Sequence, residues 1–207
     1  MNIQEHSGCG STNKQSSPFY GKYRGVVSDN KDPWKIGRLR AKVEDVYGDR
    51  ESGWALPSVP YAGKGVGLFL IPPVGALVWI EFENGDPDYP IWTGCFWADD
   101  KVGAGILPAT PASPEIKVLK TDIGTIEIND TRGQESITIA AKIGGQTMQL
   151  AINASEIKII NGLASDVGAA AIRLKNTPAI EISTGRGASV NLDGMKVSIN
   201  GNALEVM

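Results

Sequence analysis

The chain has 207 residues, two cysteines, one histidine and a formal net charge of −3, a length that suits one large domain or two small ones. Lysine and arginine are scattered rather than clustered, which excludes the basic stripe that neutralises nucleic-acid phosphates. No run of apolar residues is long enough to span a membrane, and no basic-then-apolar leader occurs. The sequence therefore predicts a soluble chain without a membrane span or secretory signal.

The aromatic residues divide the chain into two parts. All of them lie between Phe19 and Trp97, and positions 98–207 contain no Phe, Trp or Tyr. A globular core usually takes much of its volume from aromatic side chains. We therefore expect the second part to bury only aliphatic groups in a narrow and repetitive interior.

Positions 1–18 are rich in Ser, Gly, Asn and Gln, which is typical of a flexible arm. His6 lies in this arm, too far from the folded part for a catalytic triad or a metal site. Cys9 and Cys95 have no Cys or His neighbour at metal spacing. We expect free thiols, cytoplasmic folding, no metal and no cofactor.

Residues 19–97 have the pattern of short strands. Six apolar runs are bounded by Gly, Pro, Asp or Asn, and they are 20–27, 36–46, 54–61, 67–71, 76–82 and 91–97. Alternation in the second run places Leu39, Ala41 and Val43 on one face. Alternation in the fifth run places Val78, Ile80 and Phe82 opposite Leu77, Trp79 and Glu81. This pattern predicts a small closed β-barrel.

Residues 98–114 are dense in Pro, Gly and Ala and predict a semi-rigid linker. From residue 115 to 207 the sequence becomes a repeat of very short strands with period-two alternation. The aliphatic positions of these strands form the predicted core of this region. They are Ile126, Ile128, Ile137, Ile139, Met148, Leu150, Ile152, Ile157, Ile159, Ile172, Leu174, Ile180, Ile182, Val190, Leu192, Val197 and Ile199.

A ribbon of such strands has too little apolar surface to fold alone. Two or three aliphatic side chains per strand contribute only about 5 to 8 kcal/mol on burial, against about 1 to 2 kcal/mol of backbone entropy for every ordered residue. Either the chain coils on itself as a solenoid, or several copies wind around one axis. The strand spacing of about 7 to 11 residues is short for a solenoid, and it favours intertwined chains with strands that pair between copies.

Several turn motifs recur in one order along residues 20–97. Gly37 and Arg38 open one strand, Pro73 and Gly75 precede another, and a third motif follows that strand, formed by Gly85, Asp86, Pro87, Pro90 and Gly94. This combination resembles the phage baseplate assembly protein V family of contractile-tail spikes, which is related to the valine-glycine-repeat spikes of type VI secretion. The resemblance implies an all-β protein, with an OB-type barrel over 19–97 and an intertwined, trimeric, triple-stranded β-helix over 115–207.

The resemblance also implies a function. Spikes of this family are homotrimers at the centre of a baseplate, and sheath contraction drives them through the target envelope without a chemical step. The chain would assemble in the cytoplasm and reside in the baseplate of a phage virion or of a contractile injection particle. Since only the short segment 1–18 precedes the barrel, we expect a separate hub protein at the N-terminal end.

The C-terminal end is predicted to carry a partner as well. Leu204, Val206 and Met207 would leave a blunt apolar end exposed three times over. We expect a separate small tip protein of the proline-alanine-alanine-arginine repeat type to cover them. With the sole histidine at position 6, the resemblance does not extend to the metal-bound histidine apex of some short spikes.

Two other interpretations compete with a spike. Trp34, Trp54, Trp92 and Trp97 are candidates for a stacking platform, as in an OB-type nucleic-acid- or glycan-binding protein with a β-solenoid tail, although packing in the core and trimer is favoured. The third interpretation is a solenoid enzyme. The aromatic-free second half offers such an enzyme no cleft for stacking a sugar. Two candidate acid pairs for hydrolysis, Asp86 with Asp88 and Asp99 with Asp100, fall in turn or linker sequence, and we therefore expect no enzyme activity. For Glu81 we expect solvent exposure, with a salt bridge to Arg38 or Arg40 as the alternative.

Overall fold

The computed structural model describes residues 18–98, 107–163, 168–177, 179–201 and 203–206. They are almost entirely β, as predicted, and they fall into two compact units, within residues 1–101 and 102–207. Most of the predicted arm and residues 99–106 of the predicted linker lie outside the described residues. None of the described helices is long and apolar enough to cross a membrane.

The first unit contains seven strands and one short helix among its described residues. They are β1 (Tyr23–Asp29), β2 (Arg40–Lys42), α1 (Glu44–Tyr47), β3 (Leu56–Pro57), β4 (Ala62–Gly63), β5 (Val66–Gly67), β6 (Leu77–Phe82) and β7 (Pro90–Phe96), with a 3₁₀ turn at Glu83–Gly85 after β6. Five strands form one sheet in the order β2-β1-β6-β7-β3, in which only the β3–β7 pairing is parallel. Strands β4 and β5 form a separate hairpin.

The core of this unit lies on the inner face of the five-stranded sheet. Its buried side chains are Val27, Leu39, Ala41, Val43, Ala55, Val78, Ile80, Phe82 and Trp92. The faces predicted for 39–43 and for 77–82 are therefore confirmed, since every second residue is buried in both runs. One end of the core is closed by a cluster of rings in edge and tilted contacts, formed by Phe19, Tyr23, Tyr47 and Phe82.

Three of the predicted strands are wrong in part. Of residues 54–61, only Leu56–Pro57 form a strand. Residues 36–46 do not stay extended, because the chain turns into α1 directly after the last buried residue, Val43. Glu44 and Asp45 occupy the first turn of this helix, where carboxylates interact favourably with the free N–H groups. Residues 68–71 carry the apolar run of a strand but lie outside any ladder.

The second unit is one antiparallel sheet of ten strands. They are β8 (Ile116–Lys120), β9 (Gly124–Asn129), β10 (Ser136–Ile143), β11 (Gln146–Asn153), β12 (Glu156–Ile160), β13 (Ala171–Lys175), β14 (Ala179–Ser183), β15 (Ser189–Asp193), β16 (Lys196–Ile199) and β17 (Leu204–Val206). Their order in the sheet is their order in the chain. Each inner strand pairs with the strand before it and the strand after it.

This sequential pairing differs from the expectation that strand edges pair between copies. The turns between β10 and β11, β11 and β12, and β15 and β16 span only two residues each, and such turns return the chain directly along the strand that it has just left. Each ladder is therefore completed within one chain. What a single chain leaves open is the apolar face of the sheet, not the hydrogen-bonding edges of its inner strands.

Candidate functional site

The predicted aliphatic residues of the second unit lie in two parallel rows on one face of the sheet. The first row crosses the strands through Ile128, Ile137, Ile152, Ile157, Leu174, Ile180, Leu192 and Val197, each directly opposite the next. The second row runs through Ile126, Ile139, Leu150, Ile159, Ile172, Ile182, Val190 and Ile199, while Met148 faces Ala141 beside it. Both rows exist because side chains alternate strictly along each strand.

This aliphatic face is open to solvent in a single chain. Ile139, Ile159 and Ile182 are 46%, 52% and 47% exposed, although isoleucine is among the residues most often fully buried in proteins. A contiguous apolar face of this kind marks an interaction surface.

The opposite face of the same sheet is the less exposed one, with Ala151, Ile160 and Ala171 buried on it beside paired charged groups. On β13, the Arg173 guanidinium donates to Glu181 Oε1 on β14 across 3.0 Å and lies 3.8 Å from a Glu156 oxygen on β12. Lys175 lies 3.2 Å from the second oxygen of Glu181. Since these groups already have partners of opposite charge, this face has no comparable need for cover. The two faces therefore differ in exposure: one has exposed aliphatic side chains, and the other has paired charges among buried side chains.

Strand β8 extends the aliphatic face in a way that the sequence pattern did not indicate. Lys117 and Leu119 lie opposite Ile128 and Ile126, at the ends of the two rows. The Lys117 ammonium pairs with the Asp130 carboxylate beyond the end of the neighbouring strand. The run from Ile116 to Lys120 has apolar residues on both faces, so alternation alone does not reveal which face is inward.

In the first unit, the Arg38 motif forms a buried ion pair. The Arg38 guanidinium donates to Asp32 Oδ1 from Nε at 3.0 Å and from Nη2 at 2.7 Å, and it lies 3.9 Å from the ring centre of Trp34. The Asp32 carboxylate also accepts backbone N–H groups from residues 34, 36 and 38. The bond from Arg38 and these N–H groups hold the pKa of Asp32 well below its usual range. The pair fixes the loop that leads into β2.

The motif that follows β6 forms a turn that holds three chain segments together. Gly85 O accepts the Phe19 N–H at 2.9 Å, and Pro87 O accepts the Tyr47 hydroxyl at 2.5 Å. Asp86 Oδ1 accepts the Asp88 N–H at 3.0 Å within the turn. Burial, and then the nearby Asp88 and Asp86 carboxylates, raise the pKa of Tyr47 to about 12. Asp86 therefore stabilises this turn through its carboxylate, and both carboxylates act on the Tyr47 hydroxyl beside it.

The remaining motif residues also have backbone roles. Gly37 O accepts the indole N–H of buried Trp92 at 3.0 Å. Gly75 N donates to Val27 O at 2.9 Å, and the turn that contains it is closed from Ala76 N to Pro73 O at 3.0 Å. Pro90 begins β7, and Gly94 lies at the irregularity where β7 pairs with β6. The motif residues therefore form the turns of the barrel and do not converge on one pocket.

Other predicted groups are spread over the structure. Glu81 pairs with Lys22 Nζ at 2.6 Å, so the alternative of a bridge to Arg38 or Arg40 is wrong. Of the four tryptophans considered together, Trp92 is buried, whereas Trp34 and Trp97 are 71% and 61% exposed. Among the residues that the structure describes, no three Cys, His, Asp or Glu side chains form a metal site.

Some predicted groups lie outside the described residues, namely His6, Cys9, Asp99, Asp100 and Met207. Leu204 and Val206 are described only as part of the backbone of β17.

Comparison with known proteins assigns a family to both units. Residues 23–97 match the type VI secretion system/phage-baseplate injector OB domain. Residues 163–205 match the phage baseplate V C-terminal trimerisation domain. The two matches together cover more than half of the chain, and the second includes β13 to β16 of the aliphatic face.

Curated relatives include spike proteins of type VI secretion. The type VI secretion system spike proteins VgrG4b and VgrG1a of Pseudomonas aeruginosa are 32% identical over 116 and 104 residues, which are 52% and 47% of this chain. The actin cross-linking toxin VgrG1 of Vibrio cholerae is 31% identical over 100 residues, or 45% of this chain. The matched regions are only 14%, 16% and 9% of these three proteins.

The two family matches agree with the architecture described above, a small β-barrel unit followed by a sheet with one exposed aliphatic face. The trimerisation domain supports a homotrimer, and the family is one of structural spikes. The chain belongs to the phage baseplate V family of spike proteins, with an injector OB domain followed by a C-terminal trimerisation domain.

Proposed function

We propose that this chain is the central spike of a contractile injection system or contractile phage tail, and that it acts mechanically rather than as an enzyme. The observation that carries the proposal is the contrast between the two faces of the ten-stranded sheet. The aliphatic rows, with Ile139, Ile159 and Ile182 about half exposed, become the interior of a trimer. The ion-paired face, with Arg173 and Glu181, becomes its exterior.

The proposed trimer places three sheets around one axis with their aliphatic faces inward. Each layer near the axis then holds a few aliphatic side chains, and three indole rings would not fit there. This geometry accounts for the absence of aromatic residues after Trp97. Each chain completes its own hydrogen-bond ladders. The copies therefore bind one another by burying their aliphatic faces. A continuous packed interior resists bending, because protein interiors have low compressibility, and piercing an envelope requires that rigidity.

A pair of adjacent substitutions on β10 tests this arrangement. Ile139 lies in an aliphatic row, whereas Thr138 points to the opposite face. Ile139→Asp should abolish the trimer, because it would bury three carboxylates near one axis. Thr138→Asp adds the same charge to the same strand and should leave the trimer intact. Native mass measurement distinguishes a trimer from a monomer, and the unmodified chain should give a mass of three times 22.0 kDa. A monomeric unmodified chain would contradict the proposal.

The proposal includes two separate partners at the ends of the spike. One is a baseplate hub protein on the barrel side, and the other is a small tip protein of the proline-alanine-alanine-arginine repeat type at residues 204–207. Within the described part of the chain, β17 is hydrogen-bonded to β16 alone, which gives a tip protein a strand edge to cover, and the sequence places Leu204, Val206 and Met207 at this end. Deleting residues 203–207 should abolish co-purification of the tip protein. Unchanged co-purification would contradict this part of the proposal.

The exposed ring of Trp34 favours a second candidate function, the binding of nucleic acid by the barrel. The guanidinium stacked on that ring is already bound by the Asp32 carboxylate, which leaves it poorly placed to bind a phosphate. A spike should give no salt-dependent shift of a labelled single-stranded oligonucleotide. A shift that weakens with added salt and is lost in Trp34→Ala would favour the second candidate.

A further inference from the structure

The aliphatic face of the second unit carries a charge at its β8 end. Lys117 lies directly opposite Ile128 in the ladder between β8 and β9, so it occupies the position that an aliphatic residue holds on each strand from β9 to β16. Along the two rows from β8 to β16, Lys117 is the only charged residue. Its ammonium pairs with the Asp130 carboxylate. Asp130 is held beside β8 because its N–H donates to Glu115 O at 2.9 Å.

In a single chain, Lys117 and Asp130 form a surface ion pair. The two side chains are 54% and 58% exposed, and exposed pairs contribute little to stability. Once other copies cover the aliphatic face, the pair lies inside the assembly, where taking two charges out of water is costly. An aliphatic side chain, such as that of Leu119 at the end of the other row, has no such cost. Stability alone therefore does not account for a lysine at this position.

The aliphatic rows do little to fix the height of one copy against the next. Isoleucine occupies most positions of both rows, and successive strands of a sheet lie about 4.8 Å apart. A copy displaced along the axis by one strand would place its Ile137 level with Ile128 of its neighbour. Most layers would then be unchanged in size and chemistry. A repetitive apolar pattern stabilises such displaced assemblies almost as well as the correct one.

We propose that the Lys117–Asp130 pair sets the register of the three copies. This inference rests on the proposed homotrimer. When the copies are level, three ammonium groups and three carboxylates meet in one layer at the end of the aliphatic interior, and each charge has neighbours of opposite sign. When one copy is displaced by a strand, a pair faces isoleucine side chains and finds no polar neighbour outside its own chain. A single charged position in the apolar seam of a coiled coil specifies register in the same way, at a cost in stability.

Single substitutions test whether the pair lies inside the assembled chain. Lys117→Leu removes the charge that pairs with the Asp130 carboxylate. The melting temperature of the sheet, followed by circular dichroism, should fall by about 4 to 8 °C for each fivefold loss of stability. Lys120→Leu is the matched control, because Lys120 is exposed and lies on the opposite face of the same strand. It should leave the melting temperature unchanged.

A double substitution distinguishes a role in register from a role in stability. Lys117→Leu combined with Asp130→Leu makes the whole layer apolar. The melting temperature should return to that of the unmodified chain or exceed it, because apolar residues in place of a buried ion pair are often stabilising. The copies of this variant should nevertheless occupy more than one register.

Photo-methionine, incorporated biosynthetically into the full-length chain, reports the register. The chain has four methionines, of which Met148 lies on the aliphatic face opposite Ala141. Co-assembly of ¹⁵N-labelled and unlabelled chains identifies by mass the crosslinks that join two copies. In the unmodified chain, Met148 should give one set of such products. The double variant should add products one strand before and one strand after that set.

The outcomes separate this inference from the proposed function. A trimeric chain in which Lys117→Leu and Lys120→Leu melt at the same temperature overturns the inference and leaves the homotrimer standing. A double variant with the same Met148 products as the unmodified chain also overturns it, because the pair would then not set the register. An unmodified chain that is monomeric by native mass measurement overturns the homotrimer, and this inference with it.

Discussion

At the scale of single residues, the Asp32–Arg38 pair links barrel stability to pH. The pKa of Asp32 in the folded chain lies below its unfolded value of about 3.9. Its stabilising effect is therefore complete above about pH 4, and it is lost as the pH falls from there toward the folded pKa. The loop that leads into β2 should be the part of the barrel that loosens with acid.

Asp32→Asn should lower the melting temperature of the barrel at pH 7, because the amide gives Arg38 no charged partner. The difference in melting temperature between the variant and the unmodified chain should narrow as the pH falls below about 4, where Asp32 of the unfolded chain takes up a proton. Melting curves from pH 7 to pH 3 test this, and Asp49→Asn, at an exposed carboxylate, measures the background. A gap that stays constant down to pH 3 would contradict the assignment.

Two glycines allow the cost of backbone strain to be distinguished from the cost of a steric clash. Both Gly75 and Gly85 have positive φ, 88° and 78°. A side chain at Gly75 would meet open space, whereas a Cβ at Gly85 would lie 2.7 Å from the Pro18 Cβ. Gly75→Ala should therefore cost only the strain of the left-handed conformation, about 1 to 2 kcal/mol.

Gly85→Ala should cost clearly more than Gly75→Ala, because it also displaces the segment that donates the Phe19 N–H to Gly85 O. Urea unfolding followed by tryptophan fluorescence compares the two variants. Equal unfolding midpoints would show that residues 18 and 19 are not held against this turn.

At the scale of elements, the charged face of the sheet joins three consecutive strands through Arg173. Arg173→Ala removes the partner of Glu156 and Glu181, which are both mostly buried. We expect a loss of about 1 to 3 kcal/mol from the second unit. Arg186→Ala, at an exposed position between β14 and β15, is the control and should change stability little. Circular dichroism melting curves measure both, and equal losses would contradict the role given to Arg173.

The sequence was most informative where one physical rule decides the structure. Strict alternation specified the faces of β6 and the two aliphatic rows of the second unit, because a strand exposes every second residue to the same side. It was less informative where two effects compete. Residues 44–47 carry a strand-like pattern, yet they turn into α1 once Val43 has filled the core.

Partners far along the chain were the least predictable. Glu81 pairs with Lys22 across the sheet, and the sequence around either residue does not indicate this ion pair. Pairing of strand edges between copies was an inference from the small apolar content of each strand. The two-residue turns at Gly144-Gly145 and Gly194-Met195 direct each strand back along its neighbour instead.

At the scale of the whole molecule, the aliphatic face makes the stability of the second unit depend on chain concentration. A face that only other copies cover contributes to stability only when those copies are bound. The melting temperature of the sheet, followed by circular dichroism, should rise with chain concentration, and Ile139→Asp should abolish that rise. A melting temperature independent of concentration in a reversible transition would contradict assembly through this face.

The aromatic boundary at Trp97 also divides the chain optically. All five tryptophans and all five tyrosines belong to residues 19–97, so ultraviolet absorption at 280 nm and intrinsic fluorescence arise only there. The sheet of the second unit contributes to far-ultraviolet circular dichroism through its backbone, but it has no intrinsic fluorescence. One unlabelled sample therefore carries two signals, and comparing them during unfolding shows whether the barrels and the sheet come apart together or in turn.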